Sequence, residues 1–496
     1  MSRKRKLILN TVLSLLLQIT TIICGFILPR LILGAYGSDI NGLVNSISQF
    51  LSVITLLDMG VGAVVQSALY KPLADNDNKQ ISCIYSSAQK FFKHVALILL
   101  GYIVVLAVIY PFFINEDYDF LFTAFLICAV SISTFAEYYF GIVNRLLITA
   151  DQKGYIYYIL QITTIIVGTG ICAVLIGNGA SVQLMKLAYS LVFLTRPIML
   201  SIYVRKNYKI DRHITYDEEP IKQKWNGMAQ HFAAFVLGGT DVIVLTLFSD
   251  LSNVSVYSVY NMVIIGVKNL LLSVTNGFQA LLGEMLAKNE IQELHRFFSR
   301  VEWIIHTLTT LIFGCTGILI VSFVQVYTYG VDDADYIQPL FAVVLTAANA
   351  GHCLRLPYNI LILAAGHYKQ TQSNYIIAMI LNIVISVATV WFWGLIGVAI
   401  GTLVAMIYQT VWMAWYDSKN IIKYPMHQFV KHIFVDILIV VVSSAATFWI
   451  PLTSVSFVGW VLQAVEVFII WLVITIFFNF IFYRDNVKQI LYRLKK

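Results

Sequence analysis

Five basic residues lie inside long apolar runs: Arg30, Lys186, Arg196, Lys268 and Arg355. A charged side chain near the middle of a bilayer costs about 2.5–3.5 kcal/mol on insertion scales, so it faces a bundle interior or a wet cavity, or its head reaches back to the interface. Arg30 and Lys186 sit toward the ends of their runs, where reaching back is as good an account as a cavity. Arg196, Lys268 and Arg355 lie deeper, and a cavity role is favoured for them. Three of the cations stand near a proline: Arg30 follows Pro29, Arg196 precedes Pro197, and Arg355 lies two residues before Pro357. Proline frees a carbonyl in the preceding turn and kinks the helix, and kinked helices at membrane depth commonly line cavities.

The carboxylates in such runs are Asp58, Glu137, Asp241 and Glu466, with Asp436 near an edge. Pairing with the arginines is the ordinary reason for a buried carboxylate. Asp58 or Asp241 could instead titrate or bind a coupling ion, H+ or Na+. With only Asp58, Glu137 and Asp241 set against the five cations, the reading is a net positive interior. That suits an anionic cargo, because guanidinium groups bind phosphate with paired hydrogen bonds.

Other chemistry is poorly served. There is no GxxxxGK phosphate loop, no HExxH and no GxSxG. The six cysteines show no CxxC spacing, so no metal or cofactor is expected. Asp117/Asp119 and Asp333/Asp335 fit a DxD pattern but read as acidic turns. His427 and His432 read as an interfacial pair at a helix start. A non-enzyme is expected.

The elements that position these residues follow from composition. The 496 residues are 59% hydrophobic and 12% charged, with a mean hydropathy of +0.79. A soluble domain carries about 25% charged residues, so a soluble enzyme and a nucleic-acid-binding domain are excluded. Runs long enough to span a bilayer recur throughout: 7–33, 38–70, 94–114, 119–148, 155–177, 181–205, 226–249, 252–283, 300–325, 335–364, 371–393, 395–416, 429–450 and 455–483. The first is too long for a signal-peptide core and reads as a spanning helix behind Arg3-Lys4-Arg5-Lys6. The fold expected is an all-α polytopic membrane protein of about 14 transmembrane helices. With the N-terminus inside, 28 of the 33 Lys and Arg residues fall in inner loops and tails. That bias places both termini in the cytoplasm.

Segments match at a separation of about 214 residues. Tyr70–Asp77 resembles Gly283–Glu290, and Asn144–Ala150 resembles Asn359–Ala365. The matches imply two parallel six-helix lobes related by an axis along the membrane normal, plus two C-terminal helices. The expected divisions are an N-lobe 1–210, a cytoplasmic linker 211–225, a C-lobe 226–425, two appended helices 426–483 and a basic tail 484–496. A substrate path between the lobes, opened to each side in turn, is expected by analogy.

The segments Leu28-Pro29-Arg30-Leu31-Ile32-Leu33-Gly34-Ala35-Tyr36-Gly37, Asn41-Gly42-Leu43-Val44-Asn45-Ser46, Leu56-Leu57-Asp58-Met59-Gly60-Val61-Gly62 and Ala68-Leu69-Tyr70 resemble the opening helices of the polysaccharide repeat-unit (Wzx-type) flippases. These belong to the multidrug/oligosaccharidyl-lipid/polysaccharide exporter superfamily. The resemblance covers essentially the whole chain. It implies translocation of a polyprenyl-pyrophosphate-linked oligosaccharide, or a related cell-surface glycan precursor, across the bacterial cytoplasmic membrane by alternating access. It further implies a cationic cavity, coupling to H+ or Na+, and glycan-assembly proteins as partners. Arg30, Lys268 and Arg355 are the candidates for the pyrophosphate, by depth and charge. Lipid II flippases of the same superfamily are a neighbouring reading, although the first helix here carries only Arg30. A drug or cation antiporter is the alternative, and it would want an anionic cavity.

Overall fold

The computed structural model describes residues 3–54, 56, 61–114, 118–211, 214, 228–275 and 278–488. Among the described residues there are helices and no strands. In chain order they are α1 (Arg3–Ser52), α2 (Val61–Asp75), α3 (Asn78–Ile109), α4 (Phe120–Ala136), α5 (Ile142–Ala150), α6 (Gly154–Gly177), α7 (Val182–Asn207) and α8 (Met228–Phe248). Then follow α9 (Leu251–Thr275), α10 (Phe278–Ala287), α11 (Ile291–Tyr327), α12 (Pro339–Leu354), α13 (Leu356–Ala364), α14 (Tyr368–Asn420), α15 (Met426–Thr447) and α16 (Phe457–Phe482).

Among the described residues, 11 helical stretches are long and apolar enough to cross a membrane. Two of them are helix pairs joined at a glycine. Gly37 breaks α1 at φ 84°, and Gly394 breaks α14 at φ 49°, conformations that L side chains rarely adopt. Resolved at those glycines, and with α8 added, the helices occupy all fourteen apolar runs. The protein is thus an all-helical polytopic membrane protein. Its exposed side chains fit that setting. Ile8, Val12, Leu15, Ile19 and Ile23 form an outward stripe on α1, and Trp391, Phe392, Phe448 and Trp449 crowd the helix ends, where aromatic belts sit.

The chain forms two compact units. The first comprises Met1–Phe235 and Asp250–Ser255; the second comprises Val236–Ser249 and Val256–Lys496. The linker expected at 211–225 lies almost wholly outside the described residues. In the first unit the core is built on Leu43, Ile47, Leu69, Tyr85, Phe92 and Leu147. Gly42 is required there, since a Cβ would stand 1.8 Å from the Leu251 carbonyl oxygen. In the second unit, Trp471 of α16 packs with Leu311, Cys315, Val435 and Ile439, fixing the last two helices to α11.

The matched segments end in the same backbone turn. Asn76 and Asn289 take φ 54° and 55°, and each turn closes with a bond five residues back, Asp77 N to Pro72 O at 2.9 Å and Glu290 N to Met285 O at 3.0 Å. Gln152 (φ 57°) and Gly366 (φ 72°) close the second pair, with Lys153 N to Ile148 O at 2.8 Å and His367 N to Ile362 O at 3.1 Å. This is the left-handed helix cap, and its recurrence at the spacing of the sequence matches makes four helices stop in one way.

Candidate functional site

In the first unit the ionic centre is Glu137. It opens a π-helical segment, Glu137–Gly141, between α4 and α5. Such widened turns re-aim side chains and recur at functional sites. Glu137 Oε2 accepts from Arg196 Nη2 at 3.0 Å, and Oε1 lies 3.6 Å from Arg145 Nη1. The Arg196 guanidinium also lies 5.6 Å from the centre of the Tyr157 ring and 5.4 Å from that of Phe193. Gly141 permits this approach, because a Cβ there would meet Glu137 Oε2 at 2.9 Å and Pro197 Cβ at 3.1 Å. Two arginines therefore share one carboxylate. Arg30 is half-buried one residue after Pro29, with Nη1 close over Gly34. Lys186 is half-buried with its ammonium 5.9 Å from the Tyr189 ring centre. Asp58 lies outside the described residues.

In the second unit Arg355 occupies the joint between α12 and α13, where Pro357 prevents a continuous hydrogen-bond ladder. It is buried. Its Nη1 donates to Gln409 Oε1, and Nη2 meets His352 Nδ1 at 3.0 Å. Tyr375 stands beside it and donates to Asn359 at 2.5 Å. Lys268 of α9 is near enough for its charge to act on Arg355, His352 and Cys353. Among the described residues, neither Arg355 nor Lys268 has a carboxylate partner, and Arg355 Nε and Gln409 Nε2 have no hydrogen-bond partner. Two positive groups of the second unit thus lie within electrostatic reach of each other, and neither has a carboxylate partner among the described residues.

Asp241 of α8 has the converse arrangement. Thr402 Oγ1 lies 2.9 Å from both carboxylate oxygens, Tyr257 donates to Oδ2 at 2.9 Å, and Asn382 donates to Thr402 at 2.9 Å. Three neutral side chains hold this buried carboxylate, and no cation does among the described residues.

A third cluster was not anticipated. Glu302 and His306, one turn apart on α11, are buried. Tyr358 donates to Glu302 at 2.7 Å, His432 Nε2 stands 3.5 Å from the same carboxylate, and His306 Nδ1 pairs with Asp436 at 2.6 Å. His427 and His432 are therefore not an interfacial pair. Five residues apart on a helix puts them about 140° apart; His427 is exposed and His432 is buried. Asp436 is buried and paired with His306. Glu466 is not buried, because it lies on the outward stripe of α16 with Leu462, Val465 and Ile469. The signal for Glu302 and His306 was their i, i+4 spacing inside an apolar run. Glu302 and Asp417, both buried, also weaken the positive balance counted from sequence.

Asp335 accepts from the Ile337 amide at 2.9 Å and from the Gln338 side chain at 3.1 Å, the geometry of an acidic turn. All six cysteines are free. Among the described residues there is no group of three His, Cys, Asp or Glu side chains that could hold a metal.

No family profile matches the sequence, and no curated protein matches it. Solved structures do match. A lipid II flippase, MurJ, in an inward closed conformation aligns over 97% of this chain and 100% of its own, with a TM-score of 0.72 and 13% identity. An inward-facing multidrug resistance MATE family transporter of the MOP superfamily aligns over 80% of this chain and 94% of its own, with a TM-score of 0.56 and 13% identity. The Vibrio cholerae MATE transporter VcmN aligns over 84% and 97%, with a TM-score of 0.55 and 13% identity. The chain has the fold that these transporters share.

Proposed function

We propose that the protein is a transporter of the MOP superfamily that translocates a polyprenyl-(pyro)phosphate-linked oligosaccharide, or a related cell-surface glycan precursor, across the cytoplasmic membrane by alternating access. The observation that carries this reading is the Arg355–Lys268 pair. A buried guanidinium and a half-buried ammonium without a carboxylate repel each other, and the guanidinium lacks solvation, so an anionic guest relieves both costs. A guanidinium and an ammonium together match a diphosphate: the first binds two oxygens in its plane, and the second adds a mobile point charge. Gln409 and His352 orient the guanidinium, and its buried Nε has no hydrogen-bond partner among the described residues. Arg30, in the first unit, is a further candidate cation by its depth and charge in the sequence. Arg196, already paired with Glu137, holds that unit's helices in position. The likeness to a lipid II flippase over nearly the whole chain supports a lipid-linked cargo.

Asp241 is the proposed coupling site. Its neutral partners leave one negative charge for H+ or Na+. The N-terminus and the C-terminus both belong on the cytoplasmic side, from the distribution of Lys and Arg. No chemical step is assigned, and the protein is read as a non-enzyme.

A second reading, a drug or cation antiporter, is favoured by the buried carboxylates Asp241, Glu302 and Asp417. Reconstituted vesicles separate the two. Translocation of a fluorescent polyprenyl-pyrophosphate sugar is expected. Efflux of a cationic dye with no lipid translocation would replace the flippase by the antiporter.

A further inference from the structure

Asp417 closes the last turn of α14, where its carbonyl accepts from the Ile421 and Ile422 amides at 3.2 Å. Its side chain points back into the protein. The residue is 1% exposed, and among the described residues neither carboxylate oxygen has a hydrogen-bond partner. Both facts are costly, since an ionised carboxylate taken out of water must be paired and a neutral one must still bond its hydroxyl.

The surroundings sharpen the problem. Asp417 and Glu302 line one small cavity with Tyr358, Ser418 and Tyr424. Its volume of about 10 Å³ is room for one water-sized guest. Glu302 already has Tyr358 at 2.7 Å and His432 at 3.5 Å, and Asp436 has His306 at 2.6 Å. Each of those carboxylates thus has a histidine facing it, while among the described residues Asp417 has neither a histidine nor a basic side chain.

We propose that this cavity is a binding site for one small, hard monovalent cation, of the size and charge of Na+, held by Asp417 and Glu302. The polar side chains on its wall, Glu302, Tyr358, Asp417, Ser418 and Tyr424, all offer oxygen, which selects a hard ion, while Phe298, Ala414 and Phe429 close the rest of it. One unanswered charge and space for a single guest suit a monovalent ion better than a divalent one, which gathers six or more oxygens. The site is separate from Asp241. It lies where α11, α13 and the end of α14 meet the turn into α15, with Pro425 and Met426 also on the cavity wall. A cation there neutralises the end of α14 and ties the turn that leads to the appended α15–α16 pair onto α11.

The test is thermal unfolding of the purified full-length protein in detergent, titrated with NaCl against N-methyl-D-glucamine chloride at constant ionic strength. Wild type and Asp241→Asn are expected to gain several degrees of Tm with Na+. In the Asp241→Asn background, Asp417→Asn is expected to abolish the remaining Na+ response; the single Asp417→Asn variant in Na+-free buffer is expected to melt no lower than wild type, because the amide removes the unanswered charge. A wild-type Tm indifferent to Na+ overturns the proposal, as does an Na+ response that vanishes in Asp241→Asn or survives in the Asp241→Asn, Asp417→Asn double variant. Should Asp417→Asn not fold, Glu302→Gln decides: the Na+ midpoint should rise about tenfold, equivalent to 1.4 kcal/mol, and an unchanged midpoint overturns the site.

Discussion

Arg196 and Glu137, 59 residues apart in sequence, meet at 3.0 Å between α7, which carries Pro197 inside it, and the π-helical turn after α4. Both side chains are nearly buried, at 11% and 13% exposed. Removing one partner of such a pair leaves the other charge without solvent or counterion, at a cost of about 3–5 kcal/mol. Glu137→Gln should therefore lower the Tm strongly, because Arg196, only 11% exposed, would lose its carboxylate. Replacing Glu137 and Arg196 together by methionine should recover much of the loss. Thermal unfolding of the two single variants and the double variant checks this; additive losses would mean that the pair does not interact.

Arg355 should behave differently. Its guanidinium has neutral partners, so Arg355→Ala removes a charge that no carboxylate is compensating. Protein abundance and Tm are expected to stay near wild type, while translocation of a polyprenyl-pyrophosphate sugar falls about tenfold or more, the value of one charge-assisted contact to phosphate. Arg355→Lys should recover part of it, since it restores the charge but not the two-pronged geometry. Full transport by the alanine variant would remove Arg355 from the path.

The difference between these two arginines shows what the sequence could and could not display. Both stood beside a proline in an apolar run, and both were read as cavity residues on depth. Depth is a one-dimensional property, and it was legible; so were the helix breaks at Gly37 and Gly394, which interrupt apolar runs. Which charge meets which is decided by contacts such as Arg196 to Glu137, between segments far apart in the chain. Glu302 was passed over because it stands at the edge of its run, yet its i+4 neighbour His306 marked the same helix face. Asp417 carried no comparable mark. Its isolation depends on the turn 421–425 folding over it.

Gly314 offers a sharper test of packing. A Cβ at that position would stand 1.9 Å from the Trp471 ring, so α11 and α16 are in contact at a glycine. Trp471 is fully buried and its indole donates to Thr447 at 3.1 Å, which leaves the ring little freedom to withdraw. Gly314→Ala should thus force the helices apart at a cost of about 1–3 kcal/mol. The expected readout is a lower Tm together with protease sensitivity in the 448–456 connection. A variant as stable as wild type would show that the ring moves aside freely.

Acid stability should depend on Asp151, which lies between α5 and α6 and outside the spanning segments. Its carboxylate meets Lys153 at 2.6 Å, Lys6 at 3.4 Å and the Tyr208 hydroxyl at 2.6 Å, so it joins the first turns of α1 to the 151–153 turn. Burial works against ionisation here, but the hydrogen bonds from Lys153 and Tyr208 and the charges of Lys153 and Lys6 outweigh it and hold the carboxyl below the usual range. A carboxylate whose folded pKa is depressed stabilises the fold above its unfolded value of about 3.9, and that stabilisation is lost as the pH falls through the folded value. Wild-type Tm should accordingly show no Asp151-dependent change from neutral pH down to about pH 5, then decline in more acidic buffer. Asp151→Asn should be less stable than wild type at neutral pH, and the gap between them should close with acidification. Melting curves that run parallel over the whole range would mean that this carboxylate titrates no differently in the folded protein than in the unfolded chain.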